Sequence, residues 1–595
     1  MRRIGRILVI LLAATGLISL SLIGFGVWAA LHFSPRTEHD LPDKAILSLD
    51  LDASFSDQSD GDPLAALSGE HAYELRRVIE TLDHAAADPK VVGLFATLGH
   101  ASLGLGHGQD LRDAVIRFRA SGKPAVLFAE TIGEGGTGTL DYYIASAFGE
   151  IWVQPSGDVG LTGVMAESPF LKGALDLLGI KPQFSGRYEY KSAIDMFTET
   201  GFTPAHRENL GRLMDSWTEQ LTTGIAEARK LPAETAATLI GKGPFLPDEA
   251  KAAGLIDHVG YRDQAWAVLA GDAKDKGGPE EIDLADYADH LPDDKGTKVA
   301  LVIGAGAIHR GESHQSFDGE ADFGAQTVAD GLRDAVDDDK VKAILFRVDS
   351  PGGSYTASDT VWHEVKRARA AGKPVVVSMG NVAASGGYFV AMGADRIIAE
   401  PGTITGSIGV FTGKLVLEDL WKKLGISWDE MHRGDNATMW SANRPFSPQA
   451  QARIDALLDH IYADFTGKAS EGRSIAADKM DTLARGRVWT GADAKRSGLV
   501  DGLGGWREAM VAVREVAGLK ADAPLRLEEF PRPKKPWEVL AAALSGGSVT
   551  ERRRLSAALG ALAGLEPLVS RLSAMAEPER ATLRLPPALA PEGRW

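Results

Sequence analysis

Hydrophobic positions along most of the chain alternate between two patterns. Short apolar runs, such as AILSLDL at 45–51, VVGLFATL at 91–98 and VKAILFRVDS at 341–350, are separated by amphipathic stretches of about 10–15 residues. Apolar strands that alternate with helices of this length are typical of a largely parallel sheet. We therefore predict an α/β fold.

The first hydrophobic run has another character, because no charged residue occurs from Ile7 to Leu31. As a helix it would span about 37 Å, more than the roughly 30 Å hydrocarbon core of a bilayer. The preceding MRRIGR carries three arginines, which stay in the cytoplasm by the positive-inside rule. The run therefore predicts a transmembrane signal anchor over 1–36, with cleavage near Ala29 as the alternative.

The chain also resembles itself at three ordered places. SGKPAVLF matches AGKPVVVS, DYYIASAFGEIWVQPSGDVGLTGV matches GGYFVAMGADRIIAEPGTITGSIGV, and PDEAKAAGLIDHVG matches GADAKRSGLVDGLG. The offset stays near about 245–250 residues, which indicates a duplicated unit. We predict an N-terminal αβ repeat at 43–270, a linker at 271–296, a C-terminal αβ repeat at 297–520, and an Ala/Leu/Arg-rich tail at 521–595.

Composition narrows the possible functions. The net charge of −17 argues against a nucleic-acid partner, because phosphate backbones require clustered Lys and Arg. The chain contains no cysteine, which excludes disulfides, thiolate metal sites and a cysteine nucleophile.

One hydroxyl stands out in NVAASGGYFVAMGAD at 381–395, where Ser385 separates a β-type run from a predicted helix. A nucleophile at a strand-to-helix turn is exposed, and the adjacent Gly386 amide could stabilise an oxyanion. Serine is also a favoured helix N-cap. The stretch alone fits both a catalytic and a structural serine.

A second glycine turn, VDSPGGS at 348–354, follows an apolar strand. Its proline fixes φ, and its glycines can adopt angles that other residues avoid. The turn could present the Gly353 amide as a second oxyanion donor, or it could simply end a strand. The first half has LGHASLG at the matching place and lacks the glycine pair.

A catalytic serine needs a base within hydrogen-bond distance. His363 and His432 lie in the same half as Ser385, and Lys191 lies in the first half within GRYEYKSAIDMF. The aromatic and apolar neighbours of Lys191 could lower its pKa by desolvation, or they could pack along the stem of a surface lysine.

Taken together, these features resemble the long form of signal peptide peptidase A, also called protease IV. The shared features are tandem halves, an N-terminal anchor, the SPGG turn, ASGGYF followed by TGSIGV, and YKSA in the first half. The similarity spans about residues 40–520. The SPGG-plus-serine layout is also similar to the Clp protease proteolytic subunit. The resemblance implies two tandem crotonase/Clp-protease-like αβ repeats, preceded by one transmembrane helix.

The resemblance implies a role for each motif residue. Ser385 would be the nucleophile, Lys191 the general base, and Ser407 of the GSIG block would orient the lysine amine. Gly353 and Gly386 would form the oxyanion hole. It implies no metal and no organic cofactor.

It also implies a biological setting. The substrates would be cleaved signal peptides, and the protein would be a homotetramer in the bacterial inner (cytoplasmic) membrane, held in lipid by its N-terminal helix. The protein would cross the membrane once, with its catalytic part on the periplasmic side. A crotonase-like acyl-CoA enzyme and a catalytically inactive membrane scaffold are the alternatives.

Alignment of the two halves supports a site built from both. Thr139 falls opposite Ser385, Leu161 opposite Ser407, and Ala437 opposite Lys191. The first half thus keeps the lysine without the serines, and the second half has the reverse. Such complementary loss is expected if each half contributes part of one site.

Overall fold

The structure is a computed structural model that describes residues 41–58, 72–271, 278–291, 295–313 and 322–532, together with the backbone of 582–584. The predicted transmembrane anchor at 1–36 lies outside the described residues. Across those ranges, no helix has both the length and the apolar character needed to cross a membrane.

The first half contains nine strands and ten α-helices among the described residues. The strands are β1 (Ala45–Asp50), β2 (Ser54–Ser56), β3 (Ala72–Glu74), β4 (Val91–Thr97), β5 (Ala125–Ala129), β6 (Glu150–Val153), β7 (Lys181–Gly186), β8 (His258–Val259) and β9 (Glu280–Asp283). The helices are α1 (Leu75–Ala87), α2 (Leu105–Ala120), α3 (Thr139–Ala145), α4 (Lys172–Leu178), α5 (Asp195–Thr198), α6 (Pro204–Arg229), α7 (Ala233–Leu239), α8 (Pro247–Ala252), α9 (Arg262–Ala270) and α10 (Leu284–Ala288), with a 3₁₀ turn at Ser192–Ile194.

The second half repeats this layout. Its strands are β10 (Thr297–Ala305), β11 (Ala307–His309), β12 (Asp322–Gly324), β13 (Ala343–Ser350), β14 (Gly352–Ser354), β15 (Val375–Ala384), β16 (Arg396–Ala399), β17 (Ile404–Gly406), β18 (Phe411–Val416), β19 (Val488–Thr490), β20 (Gly502–Leu503) and β21 (Leu525–Phe530), and the tail adds β22 (Thr582–Arg584). Its helices are α11 (Ala325–Asp337), α12 (Tyr355–Ala370), α13 (Gly386–Ala391), α14 (Glu418–Lys423), α15 (Pro448–Arg473), α16 (Ala477–Leu483), α17 (Gly491–Ser497) and α18 (Trp506–Val516).

Each half is built on its own largely parallel sheet, so the predicted α/β class is confirmed. The first sheet has the order β8-β6-β5-β4-β1-β9, and all its pairs are parallel. The second has the order β19-β17-β15-β13-β10-β21, with β16 beside β15 and β20 beside β16, and only its β17–β19 pair is antiparallel among the described strands. Its central strands are buried on both faces, which explains their nearly continuous apolar sequences.

The duplication is visible in individual hydrogen bonds. Tyr142 on α3 donates its hydroxyl to the Leu255 carbonyl at 2.7 Å. In the second half, Tyr388 on α13 donates in the same way to Leu499 at 2.9 Å. Equivalent, fully buried tyrosines therefore connect equivalent helices and turns in the two halves.

Both sheets end in an edge strand that the sequence pattern does not reveal. β9 lies inside the predicted linker and pairs with β1, and β21 lies inside the predicted tail and pairs with β10. Their sequences are EEID and LRLEEF, and they carry charged residues, as is common for an edge strand that faces solvent. The linker and the start of the tail are thus part of the two sheets.

A third sheet joins the halves in the order β12-β11-β14-β22-β18-β7. Within it, β7 of the first half runs antiparallel to β18 of the second over six residue pairs. The apolar core of the first half also continues into residues of α18, including Trp506 and Val513. The two halves therefore share packing and backbone hydrogen bonds, and are not separate domains connected only by a linker.

Asn209 on helix α6 makes two hydrogen bonds to the backbone of one residue of β19, as a neighbouring strand would. The Asn209 amide donates to the Val488 carbonyl at 2.8 Å and accepts from the Val488 N–H at 2.8 Å. All these atoms belong to buried residues, so water cannot replace the bonds. Asn209 therefore fixes the end of β19 to the first half.

Replacing Asn209 with Leu should lower the free energy of unfolding by about 2–4 kcal/mol, since each buried group left unpaired costs about 1–3 kcal/mol. Chemical denaturation measures the change. Thr223→Ala on the exposed face of the same helix is the control and should shift stability by less than about 0.5 kcal/mol. Equal stability of the two variants would contradict a joining role for Asn209.

Candidate active site

Ser385 lies at the turn where β15 ends and α13 begins. Its backbone has φ 56° and ψ −113°, a conformation that a residue with a Cβ adopts only when its surroundings hold it. The Ser385 N–H donates to the Gly406 carbonyl at 2.7 Å, and its carbonyl accepts from the Phe389 N–H at 2.9 Å. The turn is thus held by hydrogen bonds on both sides of the serine.

The Lys191 amine reaches this serine from the first half. Lys191 Nζ lies 2.8 Å from Ser385 Oγ, 3.0 Å from Ser407 Oγ and 3.0 Å from the Ser407 carbonyl oxygen. A neutral amine has one lone pair and two N–H groups, and these three neighbours can satisfy all of them. The lone pair can accept from the Ser385 hydroxyl while both N–H groups donate to Ser407.

Burial sets the charge of this lysine. Lys191 is 2% exposed, and desolvation lowers its pKa to about 7. Removal from water disfavours the ammonium form, and no carboxylate contributes to the shift. The amine is therefore largely neutral slightly above neutral pH.

The residues that bury Lys191 differ from those that its sequence neighbourhood suggests. Tyr188 is 47% exposed, and the Tyr190 hydroxyl donates to Glu208 at the surface. Two glycines of the second half lie directly against the lysine. A Cβ on Gly409 would lie 3.3 Å from Lys191 Cδ, and one on Gly486, which has φ +84°, would lie 2.4 Å from the Lys191 backbone nitrogen.

Sequence reasoning assigned no role to these two glycines, although Gly409 ends the GSIG block that the family resemblance links to the lysine. At Gly486 the only local signal is the RGR pattern at 485–487, whose glycine permits a tight turn. Asp195 was also missed. Its Oδ2 accepts from the Thr203 hydroxyl at 3.1 Å, which links the segment after Lys191 to the start of α6.

Ser407 occupies a second strained turn, with φ 51°. Its N–H donates to the Arg487 carbonyl at 2.8 Å, so the turn is attached to the segment that precedes β19. Both Ser385 and Ser407 are fully buried. This differs from the exposed turn expected for Ser385, because the Lys191 segment and the Gly406–Ser407 turn pack over it.

The two glycines predicted as oxyanion donors lie side by side. A Cβ built on Gly386 would lie 3.0 Å from the Gly353 nitrogen and 2.7 Å from Ser358 Oγ. Gly386 begins α13, and the first amides of a helix have no intrahelical acceptor. Only glycine at position 386 leaves space between the two amides and the serine.

The equivalent place in the first half holds no such arrangement. Thr139 starts α3, and its hydroxyl accepts from the Gly163 N–H at 2.8 Å. Helices α2 and α12 start at Leu105 and Tyr355, which places Leu103 opposite Gly353. One lysine, two serines and two glycines are thus brought together at a single place in the described structure.

The histidine alternatives lie elsewhere. His432 is exposed, with its Nδ1 at 3.1 Å from Glu430, and His363 is on the exposed face of α12. The side-chain hydrogen bond described for Ser385 is the one to Lys191. Neither histidine is the hydrogen-bond partner of the Ser385 hydroxyl in the part of the chain that the structure covers.

Comparison with known proteins gives a consistent result. The sequence model of peptidase family S49 matches residues 117–276 and 367–520, one segment in each half. The chloroplastic serine protease SPPA of Arabidopsis thaliana is 31% identical over 540 residues, which cover 89% of this chain and 77% of that protein. Protease 4 of Haemophilus influenzae is 32% identical over 519 residues, or 82% of this chain and 81% of that protein.

A solved structure, a point mutant of ClpP1 from Listeria monocytogenes, matches 35% of this chain and 94% of its own with a TM-score of 0.23 and 14% identity. That score is too low to support an argument about the fold. The family match and the two relatives, by contrast, extend over most of both halves. The chain belongs to peptidase family S49, in its two-repeat form, and is a serine protease.

Proposed function

We propose that Ser385 and Lys191 form a catalytic dyad that hydrolyses peptide bonds. The observation that carries the proposal is the 2.8 Å separation of Lys191 Nζ from Ser385 Oγ in a buried site where the amine is largely neutral. The lysine takes the hydroxyl proton as Oγ attacks the peptide carbonyl. The resulting ammonium then gives that proton to the leaving amine, and an acyl-enzyme remains.

Deacylation uses the same groups in reverse. Neutral Lys191 accepts a proton from a water molecule that attacks the ester carbonyl, and returns a proton to Ser385 Oγ as the acid product leaves. Ser407 keeps the amine directed at Ser385, because its hydroxyl and carbonyl take up the two amine N–H groups. The Gly353 and Gly386 amides stabilise the oxyanion of both tetrahedral intermediates.

The substrate in this proposal is an extended peptide. In support, β22 runs antiparallel along β14, with Leu583 opposite Gly353, and Thr582 opposite Phe411 of β18. This edge therefore accepts an extended backbone beside the glycine that we assign to the oxyanion hole. The motifs shared with signal peptide peptidase A favour cleaved signal peptides as substrates, and crotonase/Clp-protease-like repeats as the fold.

The proposal places the protein in the bacterial inner membrane, with its catalytic part on the periplasmic side. The uncharged run from Ile7 to Leu31 would be the single anchor. The proposal also includes a homotetramer, which an exposed apolar surface at α4 and α14 supports. These two helices lie side by side, and Lys423 Nζ donates a hydrogen bond to the Leu177 carbonyl between them. This surface exposes Leu177, Leu178, Leu424, Trp428 and Met431.

Substitution tests the dyad directly. Ser385→Ala should abolish labelling by a fluorophosphonate probe and lower peptide hydrolysis at least about 10³-fold. Lys191→Met should lower both rates by about 10²–10⁴-fold, because the serine loses its base.

Lys373→Met is the control for removal of a partly buried lysine. The Lys373 amine donates to two backbone carbonyls away from the site, so this variant should keep its activity per folded molecule. Persistent labelling in Ser385→Ala, or full activity in Lys191→Met, would contradict the dyad.

The pH dependence should follow the lysine. Burial lowers the pKa of Lys191 to about 7, and a protonated amine cannot accept the serine proton. The ratio kcat/KM should therefore be low in acid, rise through about pH 7, and level off above it. A peptide without ionisable groups near its cleavage site isolates this effect, and a constant ratio from about pH 6 to pH 9 would contradict a lysine base.

The oxyanion hole has its own test in Gly386→Ala. The added methyl would lie 3.0 Å from the Gly353 nitrogen, so kcat should fall by about 10²–10³-fold. Gly467→Ala is the matched control, because a Cβ there meets nothing within 4 Å and the residue lies inside α15. Similar kcat values for the two variants would show that the space at Gly386 is not used.

A further inference from the structure

A buried ionic cluster lies at the boundary between the halves and has no part in the dyad. It consists of Asp57 and His107 from the first half and Arg347 and Asp349 from the second. Arg347 Nε lies 2.9 Å from Asp57 Oδ2, and His107 Nε2 lies 3.1 Å from Asp57 Oδ2 and 3.3 Å from Asp349 Oδ2. The side chains of Asp57, His107 and Arg347 are at most 8% exposed.

Asp349 connects the two strands that lead into the active site. It lies near the end of β13, just before the turn that carries Gly353. Its Oδ1 accepts from the Val382 N–H at 2.9 Å, and Val382 lies near the end of β15, just before Ser385.

This bond replaces a missing part of the sheet. Val348 pairs with Met379, but Ser350 pairs with Ala383, so β15 bulges outward opposite Asp349. At the bulge, the two strands lack the regular backbone hydrogen bonds of a sheet. The bond from Val382 to the Asp349 carboxylate is therefore what fixes the glycine turn relative to the serine turn there. Asp349 therefore sets the spacing of two strand ends.

His107, at the start of α2, contacts that carboxylate from the other half, with its Nε2 at 3.3 Å from Asp349 Oδ2. Its backbone N–H donates to Asn381 Oδ1 at 2.9 Å, and its Nδ1 lies 2.9 Å from Asn381 Nδ2. Since the Asn381 oxygen is already an acceptor, its Nδ2 donates to His107 Nδ1. The imidazole proton is thus on Nε2, where it faces Asp57 and Asp349.

The cluster contains the donor set of a metal site, because Asp57, His107 and Asp349 each offer one ligand atom and these atoms lie within 4.8 Å of one another. Arg347, however, already supplies a positive charge there. Its guanidinium pairs with Asp57 and donates to Ser378 Oγ at 2.8 Å. The geometry favours an ionic link between the halves over a bound cation.

We propose that His107 and Asp349 are positioning residues for the hydrolytic reaction. The first half, through His107, orients the Asp349 carboxylate, and Asp349 fixes the oxyanion glycine relative to Ser385. This inference rests on the proposed function, since it assigns a purpose to the spacing of those two groups. The first half then contributes the geometry of the oxyanion hole as well as the lysine.

The test measures kcat per active site, titrated with a fluorophosphonate, so that loss of folded enzyme does not count. Asp349→Ala and His107→Ala should lower kcat by about 10–100-fold, since misplacement of about 1 Å can cost about 10²-fold. KM should change less than about threefold. Affinity for a peptide aldehyde, whose adduct with Ser385 uses the oxyanion hole, should fall in parallel with kcat.

Conservative variants separate positioning from bulk stability. Asp349→Asn can still accept from the Val382 N–H, and should recover most of kcat. If the alanine variants are insoluble, Asn381→Ala provides the measurement, because it releases the imidazole without removing an ion. It should lower kcat without a matching rise in KM.

The first half offers a matched control. Asp141 Oδ1 accepts from the Ala101 N–H at 3.0 Å, and its Oδ2 lies 3.0 Å from His100 Nδ1. This is the same kind of aspartate–histidine pair beside a turn, but in the half that lacks the serine. Asp141→Ala should cost stability and leave kcat per titrated site unchanged.

Three results would overturn the inference: unchanged kcat in soluble Asp349→Ala, an equal loss of kcat in Asp141→Ala, or loss of activity with EDTA that added Zn²⁺ or Mn²⁺ restores. The last would show that the cluster holds a metal. Failure of the dyad would be seen separately, as hydrolysis by Ser385→Ala.

Discussion

A buried amine without a countercharge is the constraint on which the rest of this structure depends. Lys191 Nζ has two hydroxyls and a carbonyl as its neighbours, and its pKa shift has no carboxylate among its causes. These neighbours complete the hydrogen bonds of a neutral amine but would not stabilise an ammonium as a carboxylate would. The contacts that orient the lysine therefore also keep it basic near neutral pH.

Such a site requires tight packing between the duplicated halves. The glycine at 486 lets the backbone of the second half approach that of Lys191, and β7 pairs with β18 beside it. Each half alone would lack either the lysine or the serine of this contact.

Short sequence patterns were enough to indicate much of this. The alternation of apolar and amphipathic runs predicted the parallel sheets, and the motifs around Ser385 and Lys191 led to the family. The glycine turn alone could not separate a peptidase from an acyl-CoA enzyme, and the family match made that choice. The edge strands β9 and β21 were missed because exposed strands carry charged residues rather than an apolar run.

The sequence predicted that Lys191 and Ser385 share one site, but it did not show which residues surround that pair. The tyrosines beside Lys191 suggested its cover, yet Tyr188 is exposed, and two glycines of the other half lie directly against the lysine. The contact of His107 with Asp349 likewise joins residues whose local sequences carry no sign of each other. Such contacts between the two halves form only in the assembled fold, and the local sequence around each residue does not report them.

The most direct test of the central claim is the pKa of Lys191 itself. Lysines labelled with ¹³C at Cε can be titrated by NMR, and the Lys191 signal is the one absent from Lys191→Met. The structure predicts a midpoint of about 7. A midpoint near about 10.4, the value of an exposed lysine, would show that the amine is charged at neutral pH and is not the base.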